Sequence, residues 1–392
     1  MNSTLSSLPK RAVPYLALGG LWEDDDVAAA MQVIQAATGP AGNFFPLPEE
    51  AEFQKALAEH EGAAFAVAVN SCGTALDLCM IALGIGPGDE VIVPGLTFVC
   101  SGGTAAARGA RLVFADVNPR TLCLDPAAVE AKITARTKAI IPVHFAGHSA
   151  DVRGFDEISR KHNIPVIYDA AHAVGTKFEG KPIGGAGLAS CYSFQSNKNM
   201  TTLGEGGAVT TNDAVFAEKV RGLKTFGYVY GAKLRVTQIG FNYRMTKPQA
   251  ATGLTQLAKI DRILASRRAC YVALSENLRD VEEITLPSGI DENHGAHLFV
   301  IRLDTAKLGT TRDEFAARLK SEWGVGTAVH YPAVWSWEAF ENLDCDKSDT
   351  EVTERACREV LSLPLFPATT REEVEYIGHA LRQTITSFLV TA

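Results

Sequence analysis

Residues 191–212 read CYSFQSNKNMTTLGEGGAVTTN, and the rest of the chain can be interpreted from this stretch. It begins with a short apolar run at 191–194 that predicts a buried strand. A polar loop carrying Lys198 follows, and a glycine-rich turn at 204–207 leads into a second β-type run. A lysine on a loop between two strands can have a lowered pKa and attack a carbonyl as an amine. Most lysines are solvated surface charges, so a catalytic role for Lys198 depends on its surroundings.

The composition of the chain argues against several classes of protein. Of its 392 residues, 46% are hydrophobic and 21% are charged, which allows a large core and two domains. The net charge of -8 is unlike that of a nucleic-acid-binding protein, and no apolar run approaches the ~18 residues of a membrane span. The eight cysteines show neither a CxxC pair nor a zinc-like spacing with histidine, which predicts free thiols and no metal site. Since the N-terminus also lacks the pattern of a secretory signal, we expect a cytoplasmic protein.

Apolar strand-like runs alternate with helical patterns over the first 250 residues. The runs lie at 64–69, 91–93, 111–115, 139–143, 164–168, 190–194 and 207–211. This alternation predicts an α/β fold whose large domain, 1–250, contains a mostly parallel seven-stranded sheet. The remainder, 251–392, predicts a smaller α/β domain, with a long helical stretch from 246 to beyond 274 and a strand near 327–330. Ligands of such sheets bind beyond the carboxyl ends of the strands, so we expect the site residues there.

Two strand ends carry groups suited to an anion and to a planar ring. The first strand is followed by Ser71, Cys72, Gly73 and Thr74, where a helix begins. Free N–H groups and hydroxyls at a helix N-terminus can hold a phosphate, and an ordinary helix cap is the alternative. Phe98 follows the second strand and could stack on a planar ring, although a loop phenylalanine also packs in cores. The residues alone leave both alternatives open.

Asp169 ends the fifth strand, and His172 follows three residues later. An unpaired carboxylate at the end of a buried strand is costly, so Asp169 needs a partner. The protonated ring nitrogen of pyridoxal phosphate (PLP) would supply one, and capping of the next helix is an equally good explanation. Together with Ser193 and Lys198, these residues describe a single site: a phosphate cradle, a ring stack, a carboxylate for a ring nitrogen and a lysine for an aldehyde.

Five segments of the chain resemble one known family. They are TKAIIPVHFAGHSADV (137–152), IPVIYDAAHAVG (164–175), YSFQSNKN (192–199), GEGGAVTTND (204–213) and GFNYRMTKPQAA (240–251). They look like the DegT/DnrJ/EryC1/StrS family, the sugar aminotransferases of the aspartate-aminotransferase-like group of PLP enzymes. The resemblance extends from 16 to 367 and implies a fold-type I PLP-dependent transferase.

The resemblance implies a role for each candidate residue. Lys198 falls on the family's Schiff-base lysine, and Asp169 falls on the carboxylate that pairs with the pyridine nitrogen. Asn242 and Arg244 match the segment through which a partner subunit reaches the phosphate, which implies a homodimer with two shared sites. The remaining cofactor-binding positions would be Phe98 and Ala171 on the two faces of the ring, His172 near its hydroxyl, and Ser71, Cys72, Gly73, Thr74 and Ser193 at the phosphate.

The sequence departs from the family pattern at three places. The family usually reads Ser-Gly/Cys-Thr at the phosphate-binding helix, whereas Thr74 lies one position late here. Leu203 resembles an inserted residue between the lysine loop and the glycine turn. The loop at 38–50 lacks the family's usual tryptophan-containing phrase. Because this loop helps form the substrate pocket in the family, the departure concerns the identity of the substrate and not the binding of the cofactor.

The predicted reaction is a PLP-dependent transamination by a ping-pong mechanism through the Lys198 Schiff base. Glutamate or glutamine would donate the amino group, and a keto sugar, nucleotide-linked in the leading hypothesis, or a keto-cyclitol would accept it. Residues that could line the substrate pocket, by their neighbourhood, are Tyr228, Tyr230, Lys247, His330 and Tyr331. The alternatives are a sugar dehydratase that uses PLP or pyridoxamine phosphate, in which histidine replaces the lysine, and a catalytically silent regulator of the same fold.

Overall fold

The computed structural model describes residues 10–16, 18–40, 42–45, 48–229 and 233–390. Tyr230 lies outside the described residues. The helices are α1 Asp24–Ala37, α2 Glu49–His60, α3 Cys72–Leu83, α4 Cys100–Ala106, α5 Pro126–Ala131, α6 Val152–His162, α7 Ala214–Leu223, α8 Lys247–Ala258, α9 Ile260–Leu278, α10 Thr305–Leu308, α11 Arg312–Trp323, α12 Glu351–Glu359 and α13 Arg371–Leu389. The strands are β1 Phe65–Val69, β2 Glu90–Pro94, β3 Arg111–Ala115, β4 Thr137–Ile140, β5 Ile167–Asp169, β6 Lys177–Phe178, β7 Lys181–Pro182, β8 Ala189–Ser193, β9 Gly207–Thr211, β10 Tyr228–Val229, β11 Arg235–Val236, β12 Ile284–Thr285, β13 Phe299–Leu303, β14 Cys345–Asp346 and β15 Val360–Leu363. No helix within the described ranges is both long and apolar enough to cross a bilayer.

The central strands form two four-stranded sheets, ordered β1-β9-β8-β5 and β14-β3-β2-β4. Parallel bridges from Ile140 to Val166 and from Val143 to Asp169 connect the sheets beside β4 and β5. The pairs β2–β3, β2–β4 and β5–β8 are parallel, whereas β9 runs antiparallel to both β1 and β8. The α/β class is therefore confirmed; the β14-β3-β2-β4 sheet is parallel, and the β1-β9-β8-β5 sheet is mixed. Strands occur at all seven predicted runs, and their hydrogen bonds divide them between the two sheets.

Burial explains why these strands form. Strands β2, β8 and β9 are buried along their whole length, as expected where helices cover both faces of a sheet. Helix α3 is also largely buried and packs against β8 and β9. A separate apolar cluster joins side chains of α9, α11, α13 and β13, so the C-terminal segments have a core of their own.

Two local predictions differ from the structure. The long helix expected from 246 onward is interrupted at Lys259, where α8 ends and α9 begins. The prediction of a strand at 327–330 is wrong. Within this stretch only Ala328 forms a bridge, and it exchanges hydrogen bonds with Ser362 of β15. Pro332 follows shortly afterwards and has no N–H to extend such a ladder.

The buried side chain of His144 should make the stability of the fold depend on pH. Its ring stacks on Tyr168 with centroids 4.8 Å apart, and its Nδ1 accepts a hydrogen bond from the Ala150 N–H at 2.9 Å. Burial lowers the pKa of His144 to about 3, whereas an imidazole in an unfolded chain titrates near ~6.5. As the pH falls below ~6.5, the unfolded chain gains a proton that the folded protein excludes. The folded state should therefore lose about 1.4 kcal/mol of stability per pH unit from this group.

Denaturant unfolding at several pH values between about 7 and about 4.5 tests this prediction. The free energy of unfolding of the native protein should decrease as the pH is lowered. It should decrease less steeply in His144→Gln, which keeps a hydrogen-bond acceptor but does not titrate. The difference between the two slopes isolates His144 from the other titrating groups. Equal slopes would show that His144 is protonated equally in the folded and unfolded states.

Candidate active site

A cavity of about 460 Å³ lies beyond the carboxyl ends of β2, β5 and β8. Most of the predicted site residues line it, namely Ser71, Cys72, Gly73, Phe98, Asp169, Ala171, His172, Ser193, Lys198, His330 and Tyr331. Sequence reasoning missed further lining residues, namely Thr97, Cys100, Val143, Gln195, Asn197 and Glu205. All of these except Glu205, which precedes β9, follow a strand end or flank Lys198, so the strand-end rule itself could have found them.

Lys198 projects into the cavity from a loop closed by its own hydrogen bonds. The Lys198 N–H donates to the carbonyl of Gln195 at 2.9 Å, and the Ser196 N–H donates to the carbonyl of Gly204 at 3.1 Å. The side chain is partly buried, and among the described residues its Nζ has no hydrogen-bonding partner. Burial lowers the pKa of Lys198, and the nearby Asp169 opposes this effect. A lysine with a lowered pKa has a larger neutral fraction, which is the nucleophilic form.

Asp169 is a buried carboxylate that neutral donors hold in place. It ends β5 and is 2% exposed. Its Oδ2 accepts a hydrogen bond from the Ser101 hydroxyl at 2.7 Å, and its Oδ1 accepts one from the Ala171 N–H at 3.1 Å. Burial raises the pKa of Asp169, while these donors and Lys198 lower it. A cation placed against this carboxylate would favour its ionised form.

The N-terminus of α3 forms one wall of the cavity. Ser71 caps the helix by accepting a hydrogen bond from the Thr74 N–H at 3.1 Å, as the capping alternative predicted. Among the described residues the N–H groups of Cys72 and Gly73 have no acceptor, and both residues line the cavity. A Cβ at Gly207 would lie 2.4 Å from the carbonyl carbon of Ser71, so glycine is needed where β9 passes this turn. Free N–H groups at a helix N-terminus favour an anion.

His172 connects the cavity to the segment that contains Tyr331. Its Nδ1 accepts a hydrogen bond from the Ala146 N–H at 3.3 Å, so its Nε2 carries the proton and donates to the Tyr331 hydroxyl, 3.0 Å away. Burial lowers the pKa of His172, which keeps the ring neutral. The Phe98 ring is 54% exposed, and its centroid lies 5.9 Å from that of Tyr331. Phe98 therefore has an accessible face at the mouth of the cavity.

Thr74 and Lys247, both predicted from the sequence, lie outside this cavity. The Thr74 hydroxyl turns back to Oδ1 of Asn70 at 2.7 Å, because α3 begins two residues earlier at Cys72. Lys247 lies at the start of α8 and forms an ion pair with Glu49 at 3.3 Å. Tyr228, in β10, also lies away from the cavity lining.

Asn242 and Arg244 line a different cavity, of about 670 Å³. The Arg244 Nε donates to Oδ1 of Asn242 at 2.9 Å, and the guanidinium lies 5.4 Å from the centroid of the Phe45 ring. The described part of this chain alone does not bring these two residues to Lys198, and their predicted action from a partner subunit stays a prediction.

Asn199 fixes the loop that carries Lys198, and sequence reasoning did not single it out. Its side chain is 3% exposed. Nδ2 donates to the carbonyl of Gly295 at 2.7 Å, and Oδ1 accepts from Nδ1 of His297 at 3.0 Å. Both polar atoms of the amide are therefore bonded to one segment of the C-terminal half of the chain.

Arg267 links the segment at Ala296 to Gly19, which lies against the loop that carries Lys198. Its guanidinium is buried and donates to the carbonyls of Gly19 and Ala296, each at 2.8 Å. The Gly19 N–H donates in turn to the carbonyl of Ser196 at 3.0 Å. A Cβ at Gly19 would lie 2.1 Å from the carbonyl oxygen of Asn197, so the backbone passes directly against the lysine loop.

Asn199→Ala should lower the free energy of unfolding by about 1–3 kcal/mol, because it leaves the buried His297 N–H and the Gly295 carbonyl without partners. Asn197→Ala is the matched control: Asn197 is exposed on the same loop, and among the described residues its side chain has no hydrogen-bonding partner, while its backbone N–H donates to the Gln195 side chain. Denaturant unfolding of the two variants measures the difference. Similar losses in both would contradict the role assigned to Asn199.

Comparisons with known proteins identify the family of the chain. The model of the DegT/DnrJ/EryC1/StrS aminotransferase family matches residues 25–382. The chain is 37% identical over 350 residues to the spore coat polysaccharide biosynthesis protein SpsC of Bacillus subtilis (strain 168), covering 86% of this chain and 90% of that protein. The structure of S. venezuelae DesV superposes with a TM-score of 0.84 at 32% identity, over 92% of this chain and 94% of that one. Helicobacter pylori PseC, an aminotransferase involved in the biosynthesis of pseudoaminic acid, superposes with a TM-score of 0.86 at 25% identity, over 96% and 100% of the two chains. The chain belongs to the DegT/DnrJ/EryC1/StrS aminotransferase family, and it is a PLP-dependent aminotransferase.

Proposed function

We propose that the protein transfers an amino group from glutamate or glutamine to the carbonyl of a keto sugar, nucleotide-linked in our leading hypothesis, or of a keto-cyclitol. The observation that carries the proposal is the pairing of Lys198 and Asp169 in one cavity: an amine that no described residue hydrogen-bonds, and a buried carboxylate. The names of two relatives support a sugar as acceptor, since SpsC is named for polysaccharide biosynthesis and PseC for pseudoaminic acid biosynthesis.

The residues of the cavity fit PLP. The free N–H groups of Cys72 and Gly73 and the hydroxyls of Ser71 and Ser193 would hold its phosphate. The carboxylate of Asp169 would face the ring nitrogen, and Phe98 and Ala171 would contact the ring. Lys198 would bind the aldehyde carbon through Nζ. When bound, PLP supplies an electrophilic carbon for the amino group and a ring that withdraws electrons from the reacting carbon.

Each protein group then has one task. The Lys198 amine, once released, would act as general base and take the proton from Cα of the amino donor. Asp169 would hold a proton on the ring nitrogen, and the Ser101 hydrogen bond fixes the orientation of the carboxylate. His172 and Tyr331 form one wall through their hydrogen bond. Because donor and acceptor must use the same cavity in turn, ping-pong kinetics are expected.

We propose that the protein forms a homodimer in which Asn242 and Arg244 of each chain complete the phosphate site of the other. Helix α1 exposes Val27, Met31 and Ile34, whose spacing places them on one face. Exposed apolar stripes of this kind mark interfaces. Light scattering that finds a monomer at working concentration would rule out the shared site.

A sugar dehydratase is the second candidate, since it would use the same cofactor and the same class of substrate. Lys198 disfavours it, because the dehydratases that the sequence resembles carry histidine at that position. A cofactor band that no amino donor changes would favour this candidate.

A visible absorption spectrum of the purified protein tests the proposal. The band of the bound cofactor should bleach when L-glutamate or L-glutamine is added and return when the keto sugar or keto-cyclitol acceptor is added. The amino acid that bleaches the band is the amino donor of the enzyme. The absence of any band after reconstitution with PLP would refute the proposed chemistry.

A further inference from the structure

A second cavity, of about 200 Å³, lies behind one wall of the candidate active site. It is formed by the loop at 119–122, the turn at 145–148, the segment 285–289 and strand β13. Ala146 belongs to this lining, and its N–H donates to Nδ1 of His172 in the active-site cavity. The two cavities are therefore separated by a single turn of the chain.

Two arginines line this second cavity, Arg120 and Arg302. Within the described part of the chain, neither guanidinium has a hydrogen-bonding or ion-pair partner. Arg302 is half-buried in β13, and burial lowers its pKa, with Glu359 opposing that effect. A guanidinium remains charged in proteins, so a half-buried one without a partner is costly.

The rest of the lining suits a negatively charged group. No aspartate or glutamate is among the described residues that line the cavity, although the chain as a whole has a net charge of -8. The Ser288 hydroxyl lies 2.7 Å from Nε2 of His148, and the Thr121 hydroxyl also belongs to the lining. Burial lowers the pKa of His148 to about 4, so the imidazole is neutral and adds a polar contact without a charge.

We propose that this cavity is a binding site for a small oxyanion, a phosphate or carboxylate group held by Arg120 and Arg302. Planar guanidinium groups bind both kinds of oxyanion with two parallel hydrogen bonds. The hydroxyls of Thr121 and Ser288 offer further polar contacts. The site is separate from the cofactor's phosphate cradle at α3, and it does not depend on which substrate the enzyme aminates.

Isothermal titration of the cofactor-loaded enzyme with inorganic phosphate and, separately, with succinate tests the proposal. Loading with PLP fills the cofactor's phosphate site, chloride at matched ionic strength provides the background, and the variants below separate this cavity from the substrate pocket. We expect one saturable site, and the anion that binds assigns the group as phosphate or carboxylate. The proposal is overturned when neither anion binds in a saturable manner.

Variants locate the site. Arg120→Gln and Arg302→Gln should each weaken binding by at least about tenfold, because each removes a charged hydrogen-bonding partner. Arg160→Gln, at an exposed arginine of α6 that hydrogen-bonds the Asp156 carbonyl, should bind as the native protein does. Arg120 is exposed, so its variant should fold normally even when Arg302→Gln does not. All variants should keep the cofactor's absorption band, and unchanged binding in Arg120→Gln would also overturn the proposal.

Discussion

Lys198→Ala should reduce transamination by at least about 10³-fold, because it removes both the group that binds the cofactor covalently and the general base. The structure predicts that the fold survives this change. Among the described residues no group hydrogen-bonds the Lys198 Nζ, so its removal leaves no buried partner unsatisfied. The free energy of unfolding should therefore change little, since the removal of a partly buried amine is offset by the loss of its attraction to Asp169.

Turnover with glutamate or glutamine and a keto-sugar acceptor measures the first effect, and denaturant unfolding measures the second. Lys138→Ala is the matched control, since Lys138 is exposed on β4. Its activity and stability should equal those of the native protein. Near-native turnover in Lys198→Ala would refute the assignment of this lysine. If Lys198→Ala does not fold, the activity of Lys198→Arg decides, and we expect that activity to be low as well.

Asp169→Asn should lower the rate on the order of 10²-fold or more while leaving the fold intact, because a neutral amide cannot hold a proton on the ring nitrogen. The amide has nearly the same shape as the carboxylate. Its oxygen can still accept a hydrogen bond from the Ser101 hydroxyl or the Ala171 N–H, two of the donors that now hold Asp169.

Ser101→Ala separates the charge of Asp169 from its orientation. This variant keeps the carboxylate and removes one hydrogen bond, so its rate should fall by only about tenfold or less. Steady-state rates of both variants under saturating PLP provide the comparison. An unimpaired Asp169→Asn enzyme would contradict the proposed role, and a larger effect from Ser101→Ala than from Asp169→Asn would show that orientation matters more than charge.

The strand-end rule explains why so much of the cavity could be predicted from the sequence. Ser71 follows β1, Asp169 ends β5 and Lys198 follows β8, and all three line one cavity. Parallel neighbours place their carboxyl ends at the same edge of a sheet. The sequence could not show how the strands divide between two sheets, because that depends on hydrogen bonds between residues far apart in the chain.

The residues that sequence reasoning missed act through contacts far apart in the chain. Asn199 bonds to Gly295 and His297, and Arg267 bonds to Gly19, yet nothing local marks these residues as neighbours of Lys198. Lys247 was predicted to line the substrate pocket, but the packing of α2 on α8 places it against Glu49. Periodicity predicts which face of an element is buried, and it does not predict the partner on that face.

Reduction of the PLP-loaded protein with borohydride, followed by peptide mass mapping, tests the central claim most directly. Borohydride fixes a covalent link between PLP and a lysine, so the modified residue can be read from the peptide masses. We predict that the added mass lies on the peptide containing Lys198 and on no other lysine. A cofactor attached to another lysine, or bound without any covalent link, would contradict the account.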